Sequence, residues 1–214
     1  DTVGAGENIR HASRISYQKF NGLRVATVGI SDVLPKSFEA RKDRSGVLPA
    51  NPDIYLPIVT EAKGNADVVM VHVHWGLEYD SGFHPRQQDI GHALVDAGAD
   101  IVIGHHPHVL EPVEAYKGGV ILYSLGNFIF DQGWSRTKES AFAYFKILQN
   151  GKMRLELHPV FIRDGGPRPV TGFGGLYRRE KILSQITQEK LYTSAWNENW
   201  RREGDYIYRE WQRK

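Results

Sequence analysis

The sequence predicts an α/β fold, and three observations predict it. A continuous β-branched run spans Val68 to Val73, an apolar stripe recurs at Ile90, Ala93, Leu94 and Ala97, and a second short β-branched run spans Ile101 to Ile103. Strand, helix and strand joined by connections of this length form a right-handed parallel crossover. Downstream, Lys117-Gly118-Gly119 and Asn150-Gly151 each separate two apolar, β-rich segments, which is a hairpin pattern. The expected architecture is a mixed sheet in which one parallel βαβ unit is followed by antiparallel hairpins.

Taken in order, the chain opens on a glycine-punctuated loop, Gly4-Ala5-Gly6, and a weakly helical polar segment from Ile9 to Ser16. The loop reads first as a turn and only secondarily as a phosphate cradle. Leu23 to Ile30 reads as a buried strand, and the proline- and charge-rich stretch Pro35 to Pro52 as a surface loop. Asp53 is placed to cap a helix with Ile54, Ile58 and Ala62 on one face, stopped by Gly64-Asn65. Pro85 suits a first helical position, where a missing N–H is tolerated, and Gly98 closes that helix. Val109 to Tyr116 with Val120 to Leu125 form one expected hairpin, and Ala141 to Leu148 with Met153 to Ile162 another. Gly126 to Asp131 is expected to run extended between them. A helix is expected from Tyr177 to Gln188. The pairs Trp196/Trp200 and Ile207/Trp211, each four apart, suggest a helical tail over residues 191–214 after one domain over residues 1–190.

Composition narrows the function classes. A formal net charge of +2 over 214 residues makes no case for nucleic acid, which requires a concentrated basic face. With no cysteine, disulfides and thiolate metal sites are excluded, so any metal must be held by His, Asp, Glu or Asn. Such a donor set suits zinc, manganese, iron or magnesium. No apolar run is long enough to span a bilayer. The chain opens on Asp1 with no signal-like segment, so a processed form or a piece of a longer protein is expected.

The chemistry-bearing residues concentrate between the two parallel strands. Of nine histidines, His72, His74, His84, His92, His105, His106 and His108 fall in this stretch. Ligands of a βαβ unit gather beyond the carboxyl ends of its strands. His74 ends the first strand and His106 and His108 follow the second, so these three are the expected metal ligands. Pro107 favours an extended His106, and alternating residues of an extended segment project to one side. His72, one pleat deeper, is expected to be packed. Three further residues are catalytic candidates. Glu78, with Asp80 beside it, orients an imidazole, positions a water or is a solvated loop acid; His105, out of the alternation, points to solvent or substrate; Asn127, with Asp131, lines the rim or holds its turn.

These residues resemble a known family. His74-Trp75-Gly76-Leu77-Glu78-Tyr79, Ala97-Gly98-Ala99-Asp100, Gly104-His105-His106-Pro107-His108-Val109 and Tyr123-Ser124-Leu125-Gly126-Asn127-Phe128 are similar to motifs of the CapA, or poly-γ-glutamate capsule biosynthesis, family. Gly4-Ala5-Gly6-Glu7-Asn8 and Asp164-Gly165-Gly166-Pro167 are similar as well. The resemblance implies a calcineurin-like metallophosphoesterase fold, an αββα sandwich of which this chain is the C-terminal portion. It implies a divalent metal centre in which His74, His106 and His108 are ligands; in two-metal members the ions lie roughly 3.5–4 Å apart and activate a bridging water. The superfamily's early Gly-Asp motif and its Asn-His motif have no match in this sequence, and Glu111 stands where the family is expected to have glutamine.

The function implied is a part in synthesis or export of an anionic polymer at the cell envelope or outside the cell, with metal-dependent phosphoester hydrolysis as the catalytic version. The partners implied are the polymer or a phosphoester substrate, membrane proteins of capsule synthesis, and an N-terminal segment or a second chain. A non-catalytic polymer-binding or assembly subunit, or a half-domain completed by another segment, is the alternative.

Overall fold

A computed structural model describes residues 2–187 and 200–212. The chain divides into two compact, interleaved units: residues 1–76, 84–105 and 119–121 form one, and 77–83, 106–118 and 122–214 the other.

The first unit begins with β1 (Ala5–Gly6), α1 (Ile9–Ala12), β2 (Ser16–Phe20), β3 (Leu23–Ser31) and β4 (Gly46–Val47). Strand β2 pairs antiparallel with β3 through the tight turn at Asn21-Gly22, which sequence reading did not anticipate. Helix α2 (Pro52–Asn65) leads to β5 (Val68–His74), and α3 (Pro85–Asp96) leads to β6 (Ile101–His105). Asn51, rather than Asp53, caps α2: its side chain accepts from the Asp53 N–H at 3.0 Å, while Pro52 occupies the first turn without leaving a donor unmet. The expected crossover is present. Strands β3, β5 and β6 are parallel neighbours, with Met70 opposite Ile101 and His74 opposite His105. The mixed sheet of this unit runs β2, β3, β5, β6, and then the second strand after β6, Gly119–Leu122.

Asp100 ties this unit together. Almost wholly buried, its carboxylate accepts from the Val69 N–H at 2.9 Å and from Lys63 Nζ of α2 at 3.0 Å, and its carbonyl accepts from the Val120 N–H. A buried carboxylate is tolerated only when paired and hydrogen-bonded in this way. Around it Val69, Val71, Val73, Leu94 and Val102 are fully enclosed, each contributing about 1.5–3 kcal/mol of burial.

The chain continues as β7 (Val113–Tyr116) and β8 (Gly119–Leu122). Lys117 and Gly118, which join them, both have positive φ (42° and 82°), as a two-residue type I′ turn requires.

The second unit is built on a long central strand. β9 (Glu139–Ile147) and β10 (Lys152–Arg163) form the expected hairpin, and β11 (Gly166–Pro169) returns against the end of β10. Met153, Leu155 and Leu157 alternate onto one buried face of β10, and α4 (Leu176–Thr187) packs near β9 and β10 with Ile182, Leu183 and Ile186 buried. Gly126 to Asp131 forms bends and irregular backbone rather than a strand.

The tail differs from expectation. In the described part of residues 191–214 the chain forms β12 (Arg201–Glu203) and β13 (Tyr206–Gln212), not helices. Ile207 and Trp211 are four apart, which places them on one face of a strand as well as of a helix, and β13 pairs antiparallel with β10. Strand pairing with a segment about fifty residues upstream overrides the local pattern. Trp196 lies outside the described residues. Among those described, no helix is long and apolar enough to cross a membrane.

Candidate metal centre

Histidines gather in two places, one in each unit. In the first unit the parallel register sets His74 beside His105 at the ends of β5 and β6. His72, deeper in β5, places Nδ1 3.0 Å from His105 Nε2, and the two rings stack with centroids 5.3 Å apart. One ring must donate and the other accept, so each commits a nitrogen to its neighbour. Burial pushes the pKa of His72 down. His105 reaches solvent at one edge, yet burial of its ring, with a smaller contribution from His72, pushes its pKa down to about 4. Both shifts favour the neutral ring.

His72, His74 and His105 face a cavity of about 530 Å³ whose other walls include Gly4, Ile30, Val33 and Phe38, and none of its lining residues is acidic. Gly4 has φ +75°, and a Cβ there would lie 2.8 Å from the Gly29 backbone. The Gly4-Ala5-Gly6 loop is thus explained by close approach of backbone to backbone.

In the second unit Glu78, His106 and His108 converge, with one ligand atom from each within 4.8 Å of the others. The Tyr79 N–H donates to the Pro107 carbonyl at 2.8 Å and pins the Glu78 loop to the histidine segment. The segment is not extended: φ is 101° at His106 and 60° at His108, and Tyr79 is also positive at 64°. A non-glycine residue so placed costs on the order of 1–3 kcal/mol, and such residues cluster at functional sites. The expectation that Pro107 would hold His106 extended fails because the tertiary pin, not the local preference, sets this backbone.

Behind His108 lies a hydrogen-bond chain that fixes its ring. Asn127 is almost wholly buried; its Nδ2 donates to Gln132 Oε1 at 3.0 Å and to the Thr137 carbonyl at 3.2 Å. Its Oδ1 is therefore the atom 2.8 Å from His108 Nδ1, which must donate. The lone pair of His108 is left on Nε2. Gln132 in turn donates to the Tyr79 hydroxyl at 3.0 Å, and Trp134 stacks on the Tyr79 ring at 5.3 Å. At His106, burial lowers the pKa while Glu78 pulls it up and His108 lowers it further.

Two imidazoles and a carboxylate fit a divalent ion, and the imidazoles favour zinc or iron over magnesium. Oriented by an amide on its remote nitrogen, His108 has the arrangement that metal-ligating histidines usually show.

The sequence-derived set is thus divided. His106 and His108 come together in the second unit with Glu78, whose carboxylate stands beside them within reach of the same ion. His74 belongs to the first unit with His72 and His105. Asn127 acts on His108 from behind. Asp80 caps its own turn, its Oδ1 accepting from the Gly82 N–H at 3.0 Å. Gln132, Thr137 and Trp134 were missed, because contacts within an irregular loop leave no periodic signal.

Residues 1–132 match the family described as bacterial capsule synthesis protein PGA_cap. The chain is 48% identical over 197 residues to the PGA biosynthesis protein CapA of Bacillus subtilis, covering 92% of this chain and 51% of that protein. It is 45% identical over 201 residues to the capsule biosynthesis protein CapA of Bacillus anthracis, covering 92% of this chain and 48% of that one. The chain therefore spans about half the length of the curated relatives it matches. Among solved structures, the sulfate thiohydrolase SoxB of Thermus thermophilus aligns at 17% identity over 84% of this chain and 30% of its own, with a TM-score of 0.47. A likeness of that degree assigns neither ligand nor activity. The family match over more than half of the chain and the level of identity to its relatives establish that this chain belongs to the bacterial capsule synthesis protein PGA_cap family.

Proposed function

We propose that this chain serves synthesis or export of an anionic capsule polymer of the poly-γ-glutamate type at the cell envelope, and that Glu78, His106 and His108 hold a divalent metal ion in a metallophosphoesterase-like site. The family supports the first part. One observation carries the second: a carboxylate and two imidazoles converge where Asn127 leaves the His108 Nε2 lone pair free. A bound divalent ion supplies Lewis acidity toward a phosphoester oxygen. The chain's own residues supply the rest. Asn127 and Gln132 hold the ring of His108, the Tyr79 N–H holds the loop, and Trp134 and Tyr79 form an aromatic wall in the same unit. The family resemblance implies a ligand role for His74 as well. The geometry favours pairing of His105 with His72.

The test uses the full-length protein loaded with manganese or zinc. Metal content near one ion or more per chain, with turnover of a generic phosphoester and loss of both in His106→Ala, is the expected result. Unchanged metal content and turnover in that variant would overturn the assignment. Metal retained without turnover of any phosphoester moves the reading to a non-catalytic polymer-binding subunit.

A further inference from the structure

Away from the histidines, the second unit contains a pocket of about 220 Å³ lined by Phe161, Arg163, Arg168, Pro169, Val170 and Arg178, among others. The strand register explains why three arginines meet there. Arg168 on β11 is directly opposite Phe161 on β10, and Arg163 lies two residues further along β10, on the same face as Phe161. From the first turns of α4, the Arg178 guanidinium stacks over the Phe161 ring, 3.8 Å from its centroid. Three cationic groups thus line one pocket with an aromatic ring in its wall.

No carboxylate lines the pocket. The acids on neighbouring elements are already engaged elsewhere. Glu180 is held by Arg202 at 2.6 and 3.0 Å, Asp205 by Arg179, and Glu139 by Lys181 at 2.7 Å. Asp164, next to Arg163 in sequence, is not among the lining residues. Among the described residues Arg163, Arg168 and Arg178 form no ion pair, and the Phe161 ring is the only side chain against which one of them is held. Like charges gathered on fixed elements repel one another, and a bound anion relieves that repulsion.

We infer that this pocket binds carboxylate groups of an anionic polymer. Guanidinium forks match carboxylates bidentately, and the floor of Phe161, Pro169 and Val170 accepts methylene groups. A γ-linked glutamate chain carries both features in alternation, a pendant carboxylate and then two methylenes. The anion site stands on its own geometry, whereas the choice of this polymer rests on the capsule reading above.

The experiment titrates the chain with poly-γ-glutamate fragments, with inorganic phosphate and with phosphatidylglycerol vesicles, measuring metal content on the same samples. The vesicle arm is needed because Phe173 and Tyr177, close to Arg178 in sequence, are 92% and 85% exposed. Binding of the polymer should weaken roughly tenfold or more in Arg178→Gln and in the double variant Arg163→Gln/Arg168→Gln, as expected for lost bonds to charged groups. Arg178→Lys should recover part of it. All three positions are on the surface, and circular dichroism checks that the variants fold. Equal polymer binding in wild type and arginine variants overturns the inference, as does binding of vesicles or phosphate alone. Polymer binding that survives the arginine changes and is lost in His106→Ala assigns the polymer to the metal cluster instead. Absence of polymer binding with metal content intact removes this inference and leaves the metal reading standing.

Discussion

The two histidine groups are made of the same side chain in opposite environments. His72 and His105 lie against an apolar cavity without a carboxylate, and each uses a ring nitrogen on the other. His106 and His108 stand beside Glu78, and the remote nitrogen of His108 is held by a buried amide. Histidine density alone therefore does not define a ligand set. What separates the groups is a charge to balance a cation and a partner that turns the lone pair outward.

The largest expected effect tests that contrast directly. His108→Ala should weaken divalent-ion binding by roughly 100-fold or more, beyond the loss typical of an outer partner, while His72→Ala should leave it nearly unchanged. Isothermal titration with zinc or manganese decides this, and equal losses in the two variants would erase the distinction.

A smaller effect is expected at Asn127. Removing the amide in Asn127→Ala frees the His108 ring and should cost about 10–100-fold in metal affinity. It should also lower stability by about 1–3 kcal/mol, because the groups bonded to Asn127 lose their partner. In the metal-free protein, nitrogen chemical shifts should report His108 protonated on Nδ1 in wild type and a tautomer mixture in the variant. A mixture already present in wild type would show that Asn127 does not position the ring.

How much of this was legible in the sequence follows from the range of the forces involved. The crossover was readable because Val68–Val73, the Ile90 stripe, Pro85 and Gly98 each carry their signal within one element. The hairpins were readable for the same reason, from Lys117-Gly118 and Asn150-Gly151. The convergence of Glu78 with His106 and His108 was not, since it goes with a tertiary hydrogen bond from Tyr79 to Pro107 and with positive φ at three side-chain-bearing residues, neither of which leaves a local pattern. Strand β13 was misread because Ile207 and Trp211 fit either period. Tyr206 and Tyr208, alternating with the buried Ile207, were the discriminating signal, and the Gly204-Asp205 turn marked its start. The interleaving of the two units left no local trace, because each passage between them falls within a short connection or at a strand end.

The smallest effect concerns the neutral pair, and its sign follows from linkage. Folding lowers the pKa of His105 from the ordinary imidazole value near 6.5 to about 4. Above pH 6.5 both folded and unfolded chains hold it neutral, and its contribution to stability does not change with pH. Between pH 6.5 and 4 the unfolded chain takes up the proton first, so stability falls as the pH is lowered. Below about pH 4 the folded ring is protonated as well, and the loss levels off. Urea unfolding of metal-free wild type and His105→Gln, compared across this window, isolates the slope due to this ring from that of the carboxylates. The variant should show a shallower loss between pH 6.5 and 4, and identical slopes would mean that His105 titrates normally. The same measurement on His72→Gln sharpens the comparison further: with its neighbour gone, His105 loses the smaller of the two causes and should titrate closer to the ordinary range, though still below it, because burial is the larger one.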